Sequence, residues 1–106
     1  RVLMAGVTYK PDVADLRAAA PLRLLRHLHQ ARAELAWHDP VLSVIPKALS
    51  AIPRSMALKM PDGAPPAAII LGTPHRAFDL VAISRAAPVV FDPFGILPAG
   101  PNVIVV

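Results

Sequence analysis

With 106 residues, 55% of them apolar and 17% charged, the chain has the size and composition of one small folded domain, which excludes disorder and leaves no room for a second domain. The absence of cysteine rules out a disulfide framework, a thiolate metal site and a cysteine nucleophile, and fits a cytoplasmic chain. The formal charge of +4 is spread from Arg1 to Arg85 with one Tyr, one Trp and no basic tail, so neither nucleic acid nor, without an apolar run of the ~18–20 residues that span a bilayer, a membrane is expected as a partner.

In chain order, Val2-Leu3-Met4-Ala5-Gly6-Val7 reads as a buried strand, and its abrupt start at Arg1 suggests a fragment. A polar turn, Thr8-Tyr9-Lys10-Pro11-Asp12, leads past Arg17 and an alanine run into a helix with Pro21 in its first turn. On that helix Leu24, Leu25, Leu28 and Ala31 are expected to pack, with Arg23, Arg26, His27 and Gln30 in water. Ala33 to His38 is the second strand, stopped at Asp39-Pro40, and its Trp37 is expected as partly buried packing for the sheet.

Prolines 46 and 53 break any long helix, leaving a short one around Pro46 to Ala51 and a brief strand near Ser55 to Leu58. After the turn from Asp62 to Pro66, the wholly apolar run Ala67 to Leu71 is of the kind found in central parallel strands. The loop Gly72 to His75, a helix from about Phe78 to Arg85, a strand from Pro88 to Phe91 that stops at Asp92-Pro93, and a strand from Val103 to Val106 follow. This alternation predicts an α/β fold, a three-layer Rossmann-like domain with a mainly parallel sheet and helices on both faces. Ligands of such sheets bind beyond the carboxyl ends of the strands, here Thr8 to Arg17, Asp39-Pro40, Thr73 to Arg76 and Asp92 to Gly95.

The first of these loops is the richest in chemistry. Lys10 is a point charge able to meet a phosphate, Arg17 offers a planar fork, and Asp15 can orient Arg17 or simply pair with it. The competing reading is a solvated loop with a surface ion pair of little weight. His75 is either a loop residue near a ligand cleft or a plain surface histidine, and the four histidines lack the spacing of a metal site, so no metal is expected. The five glycines nowhere form Gly-x-Gly-x-x-Gly after a strand, so the chain should not bind NAD tightly alone.

The run Gly6-Val7-Thr8-Tyr9-Lys10-Pro11-Asp12-Val13-Ala14-Asp15-Leu16-Arg17 resembles the signature that opens the C-terminal, UDP-binding domain of the UDP-glucose/GDP-mannose dehydrogenase family. The similarity continues through the leucine-rich helix, Trp37-His38-Asp39-Pro40, the run Ala67 to Leu71, and Val90-Phe91-Asp92-Pro93-Phe94-Gly95-Ile96-Leu97, and is weakest between about 41 and 66.

The resemblance implies a domain, residues 1–106, that holds the nucleotide sugar, expected to be a UDP-sugar, in an NAD-dependent enzyme of polysaccharide biosynthesis. The enzyme's NAD-binding and catalytic parts, including the cysteine that carries the thiohemiacetal and thioester, lie elsewhere, and the full-length protein is expected as a homodimer. The reaction is the four-electron oxidation of the sugar's C6 alcohol to a carboxylate. Carried over residue by residue, Tyr9 and Lys10 match the pair that contacts the nucleotide sugar, Arg17 matches the arginine that reaches toward NAD, and Asp15 supports its geometry. Asp92 and Phe94 belong to the substrate-binding set and His75 to the supporting one.

The sequence also departs from the family pattern. Ala18-Ala19-Ala20 stands where a polar helix cap is usual, and Phe94 stands where many members carry an arginine on the phosphate. The Asp-x-aromatic-Gly form and Thr73-Pro74-His75 resemble variants of members that act on N-acetylated sugars, which implies UDP-N-acetyl-mannosamine or -glucosamine, or else a divergent member with weakened binding. The alternative is a non-catalytic nucleotide- or protein-binding module of the same fold.

Overall fold

The computed structural model describes residues 1–106. Five strands, β1 (Val2–Ala5), β2 (Leu35–His38), β3 (Ala68–Leu71), β4 (Val89–Asp92) and β5 (Val103–Val105), form one sheet of order β2-β1-β3-β4-β5 in which every neighbouring pair is parallel. Val2 is in register with Leu35 on one side and Ala68 on the other, so β1 has a partner on each side, and Leu3, Met4 and Ala5 are all shut off from solvent. This is why the run reads as apolar throughout rather than alternating.

Alternate side chains feed two cores. Leu3 and Ala5 join Ile69, Leu71 and Val90 under helix α2 (Leu80–Arg85), which contributes Ile83. Met4 and Trp37 pack on the opposite face against Leu22 and Leu25 of helix α1 (Ala20–Gln30). The three-layer α/β arrangement expected from the sequence is present, and neither helix is long and apolar enough to cross a membrane.

Several local expectations need correction. β1 stops at Ala5 because Gly6, at φ +85°, turns the chain out of the sheet. Helix α1 packs through Pro21, Leu22 and Leu25, with Leu28 half-buried, whereas Leu24 and Ala31 are exposed. Residues two apart on a helix point about 200° apart, so Leu22 and Leu24 cannot both face the sheet. The helix has no side-chain cap at Ala19 and ends with Arg32 at φ +63°. There the Arg32 and Ala33 amides donate to the carbonyls of His29 and Leu28, the paired bonds of a Schellman ending.

The expected helix near 46–51 is reduced to a 3-10 turn, Lys47–Leu49, and no strand forms over 55–58. Arg54 makes a single parallel bridge with Trp37. The Ser55 hydroxyl then bonds to the carbonyls of Ala57 and Lys59 and curls the segment away. Trp37 is fully rather than partly buried. Its indole N–H donates to the Ile52 carbonyl at 3.0 Å, and the Arg54 guanidinium lies 5.3 Å from its ring centroid. Helix α2 starts only at Leu80, where Asp79 caps it by accepting from the Ala82 amide.

Candidate functional site

The sheet order places β2 and β3 on opposite sides of β1, so the loops after these strands diverge at the β1/β3 boundary. In a parallel sheet such a divergence opens a crevice for ligands. Two glycines let the backbones converge there. A Cβ on Gly6 would lie 2.5 Å from the Thr73 carbonyl oxygen, and one on Gly72 would strike the Gly6 carbonyl.

The loop from Thr8 to Ala19 is tied to its neighbours by a buried polar network. Asp39, at the end of β2, accepts from the Val7 amide at 2.9 Å and from the Val41 amide at 2.9 Å. Its Oδ2 also lies 3.0 Å from His75 Nε2, and both side chains are wholly buried. Burial, the largest influence on Asp39, pushes its carboxyl up, but the hydrogen bonds from His75, Val7 and Val41 together outweigh it and hold it below the ordinary range. Thr73 donates from Oγ1 to the Thr8 carbonyl at 2.8 Å, and the Asp12 amide donates to His75 Nδ1 at 2.9 Å. Asp12 sits at φ +64° and its carboxylate accepts from both the Arg76 amide and Nε. The Arg76 amide first, and then its guanidinium, hold the Asp12 carboxyl below its usual range against some desolvation.

Within this frame Tyr9 is 58% exposed and Lys10 is exposed and free of any ion pair. Arg17 points into solvent, its side chain 91% exposed, with Nε and Nη2 both bonded to Asp15. That guanidinium, followed by the Arg17 amide, brings the Asp15 carboxyl down to about 2. The expected Asp15–Arg17 pairing is therefore present.

These residues do not all share one hollow. Phe94, 47% exposed, lines a cavity of about 210 Å3 at the β1/β3 boundary together with Ala20, Pro21, Leu24, Ile70 and Gly72, and no charged side chain lines it. Arg17 and Asp15 line a different one, of about 370 Å3, against Leu42, Val44 and Pro46. Tyr9 and Lys10 line neither. The buried Asp92 carboxylate accepts from the amides of Phe94, Gly95 and Leu97, so it builds the loop that presents Phe94.

His75 is 2% exposed, which corrects the reading as a surface histidine. The residues that the sequence left without a role in the site are Thr8, Asp12 and Asp39, and Thr73 was read only as a pointer to the sugar. Their signal is topological: once β1 lies between β2 and β3, the residues just after all three strands must meet.

No group of three or more His, Cys, Asp or Glu could hold a metal ion. The residues also do not fit a dinucleotide cradle, because the close approach permitted by Gly6 is filled by Thr73 of the same chain.

No curated protein and no solved structure gave a match to the chain. Residues 3–99 match the family model described as UDP-glucose/GDP-mannose dehydrogenase family, UDP binding domain, and with nearly the whole sequence covered and a five-stranded parallel sheet beneath it, the chain belongs to that family.

Proposed function

We propose that this chain holds the nucleotide sugar of an NAD-dependent 6-dehydrogenase, which oxidises the C6 alcohol of UDP-glucose, a UDP-N-acetylhexosamine or GDP-mannose to the uronic acid. The observation that carries this reading is the loop from Thr8 to Arg17, which presents Tyr9 and the unpaired Lys10 beyond the carboxyl end of β1, a strand paired on both sides. Lys10 meets the phosphates as a point charge, and Tyr9 lies against the nucleotide sugar. Phe94 supplies an aromatic face from the loop after β4, and Asp92 serves the site by shaping that loop.

NAD, as hydride acceptor, is held by another part of the enzyme, since the chain offers no cradle of its own. Arg17 reaches toward NAD, oriented by Asp15, and His75 supports the loop from below. The enzyme works in the cytoplasm as a homodimer, without nucleic acid or membrane as partner. Titration of the chain with UDP and with UDP-sugars, followed by amide chemical shifts, tests the reading. Saturable shifts clustered on residues 8–17 and 92–95 are expected, and their absence at millimolar UDP counts against it.

One observation favours a second reading, a non-catalytic nucleotide- or protein-binding module. The cavity at the β1/β3 boundary has no charged lining, and Phe94 is among the residues that line it. NAD reduction by the full-length protein with a UDP-sugar would eliminate this alternative.

A further inference from the structure

The hydrogen bonds around His75 fix its tautomer. A backbone amide can only donate, so the 2.9 Å contact from the Asp12 N–H requires a bare Nδ1. The ring hydrogen then sits on Nε2, directed at Asp39 Oδ2 3.0 Å away and within 3.4 Å of Thr8 Oγ1. Thr8 Oγ1 donates its own hydrogen to the Lys10 carbonyl at 3.0 Å, which leaves its lone pairs facing the ring. Asp39 is itself held by the Val7 and Val41 amides. Moving the ring hydrogen to Nδ1 would set donor against donor at the Asp12 amide and lone pair against lone pair at Asp39.

Both ring nitrogens are occupied and the ring is buried, so His75 touches no ligand. Its contacts instead bracket the exposed pair, with Thr8 before Tyr9 and Lys10 and Asp12 after them. Asp12 occupies the left-handed region, which an aspartate adopts only with local support, and the Arg76 bonds to its carboxylate supply the rest of that support.

We propose that His75 is the positioning residue of this loop: held by Asp39 with its hydrogen on Nε2, it uses Nδ1 to fix the Asp12 amide and so sets the conformation in which Tyr9 and Lys10 meet the ligand. The proposal builds on the reading that this loop holds the nucleotide sugar. A loop fixed before binding loses less freedom when the ligand arrives.

Two substitutions separate the two ring nitrogens. In His75→Asn the side-chain oxygen takes the place of Nδ1 and keeps the acceptor for Asp12, while the bond to Asp39 is lost. In His75→Gln the amide nitrogen takes the place of Nε2 and keeps Asp39 satisfied, while Asp12 loses its acceptor. The expected result is slow exchange of the Asp12 amide and near-parental UDP affinity in His75→Asn, against fast exchange and about tenfold weaker UDP binding in His75→Gln, the scale of one lost hydrogen bond. Thermal midpoints are read alongside, because a residue that only satisfies Asp39 and fills space would make Gln the better substitute on every measure. That reverse order, or equal behaviour of the two variants, overturns the proposal.

A measurement on the parent chain needs no variant: long-range proton–nitrogen correlation should show His75 protonated at Nε2 and bare at Nδ1, and protonation at Nδ1 overturns the proposal outright. If the parent does not bind UDP, the functional reading fails, and with it the ligand part of the proposal. The tautomer and the Asp12 exchange rate then still decide whether His75 fixes the loop.

Discussion

Gly6 and Thr73 meet backbone to backbone where the sheet order reverses, with Gly6 at φ +85° and no space for a side chain between them. The contact joins the turn after β1 to the turn after β3 and thereby closes the floor beneath the loop that carries Tyr9 and Lys10. Gly72 completes the approach from the other side, against the Gly6 carbonyl and Pro21.

Gly6→Ala should therefore be severe. An L-residue in the left-handed region costs ~1–2 kcal/mol, and a methyl forced against backbone costs ~1–3 more, giving roughly 2–5 kcal/mol from a total stability of ~5–15 for a domain of this kind. Urea unfolding followed by circular dichroism measures this, and a midpoint equal to that of the parent would contradict the packing described.

Asp39→Asn should destabilise the chain and flatten its response to acid. Asp39 accepts from Val7, Val41 and His75, whereas asparagine has a single acceptor oxygen, and each buried donor left unpaired costs about 1–3 kcal/mol. The sign of the acid effect follows from the Asp39 carboxyl. Burial pushes it up, the three hydrogen bonds outweigh that, and its folded value lies below the ordinary 3.8 of a free aspartate. Its contribution is thus fully present above that value and is lost as pH falls through the lower, folded one. Unfolding free energies measured at steps from pH 5 downward should fall more steeply in the parent than in Asp39→Asn, and parallel profiles would refute the assignment.

Arg32→Gly should stabilise. Arg32 ends helix α1 at φ +63°, in the position where the paired bonds to His29 and Leu28 close the helix. Glycine adopts this conformation freely, and the relief, reduced by glycine's greater freedom in the unfolded chain, is about 0.5–1 kcal/mol. The thermal midpoint should rise; a lower one would show that the arginine side chain contributes more than its backbone strain costs.

The central strands were legible in the sequence because strands buried on both faces must be apolar throughout, as Val2 to Ala5 and Ala68 to Leu71 are. Their ends were less so, since nothing in the letters Ala5-Gly6-Val7 states that Gly6 takes a positive φ. The packed stripe of α1 was ambiguous because Leu25 and Leu28 fit either choice, and only contact with the sheet selects Leu22 over Leu24. The segment after Arg54 reads as a strand, but the Ser55 hydroxyl supplies local bonds that compete with pairing.

Within the candidate site, Tyr9, Lys10, Arg17 and Phe94 are candidates by residue type and motif, and the Asp15–Arg17 pair was legible from its spacing. That Arg17 and Phe94 line separate hollows was not. Nor was the Asp39–His75 bond, whose partners are 36 residues apart and meet only because β1 lies between their strands.

Lys10 and Arg17 should separate under mutation, although both are exposed cations on one loop. Lys10 has no ion-pair partner, so a phosphate that it meets gains a charge-assisted bond, and Lys10→Ala should weaken UDP binding by ~1.5–3 kcal/mol. Arg17 is engaged by Asp15 through Nε and Nη2 and lines the hollow against Leu42 and Val44. Arg17→Ala should leave UDP affinity nearly unchanged while the Asp15 carboxyl, released from the guanidinium, rises from about 2 toward its ordinary 3.8. Calorimetric titration with UDP measures the first effect, and a carbon-detected pH titration of Asp15 the second. If the two variants lose UDP affinity equally, Arg17 belongs with the residues that meet the nucleotide sugar, and the proposed division of roles along this loop must be redrawn.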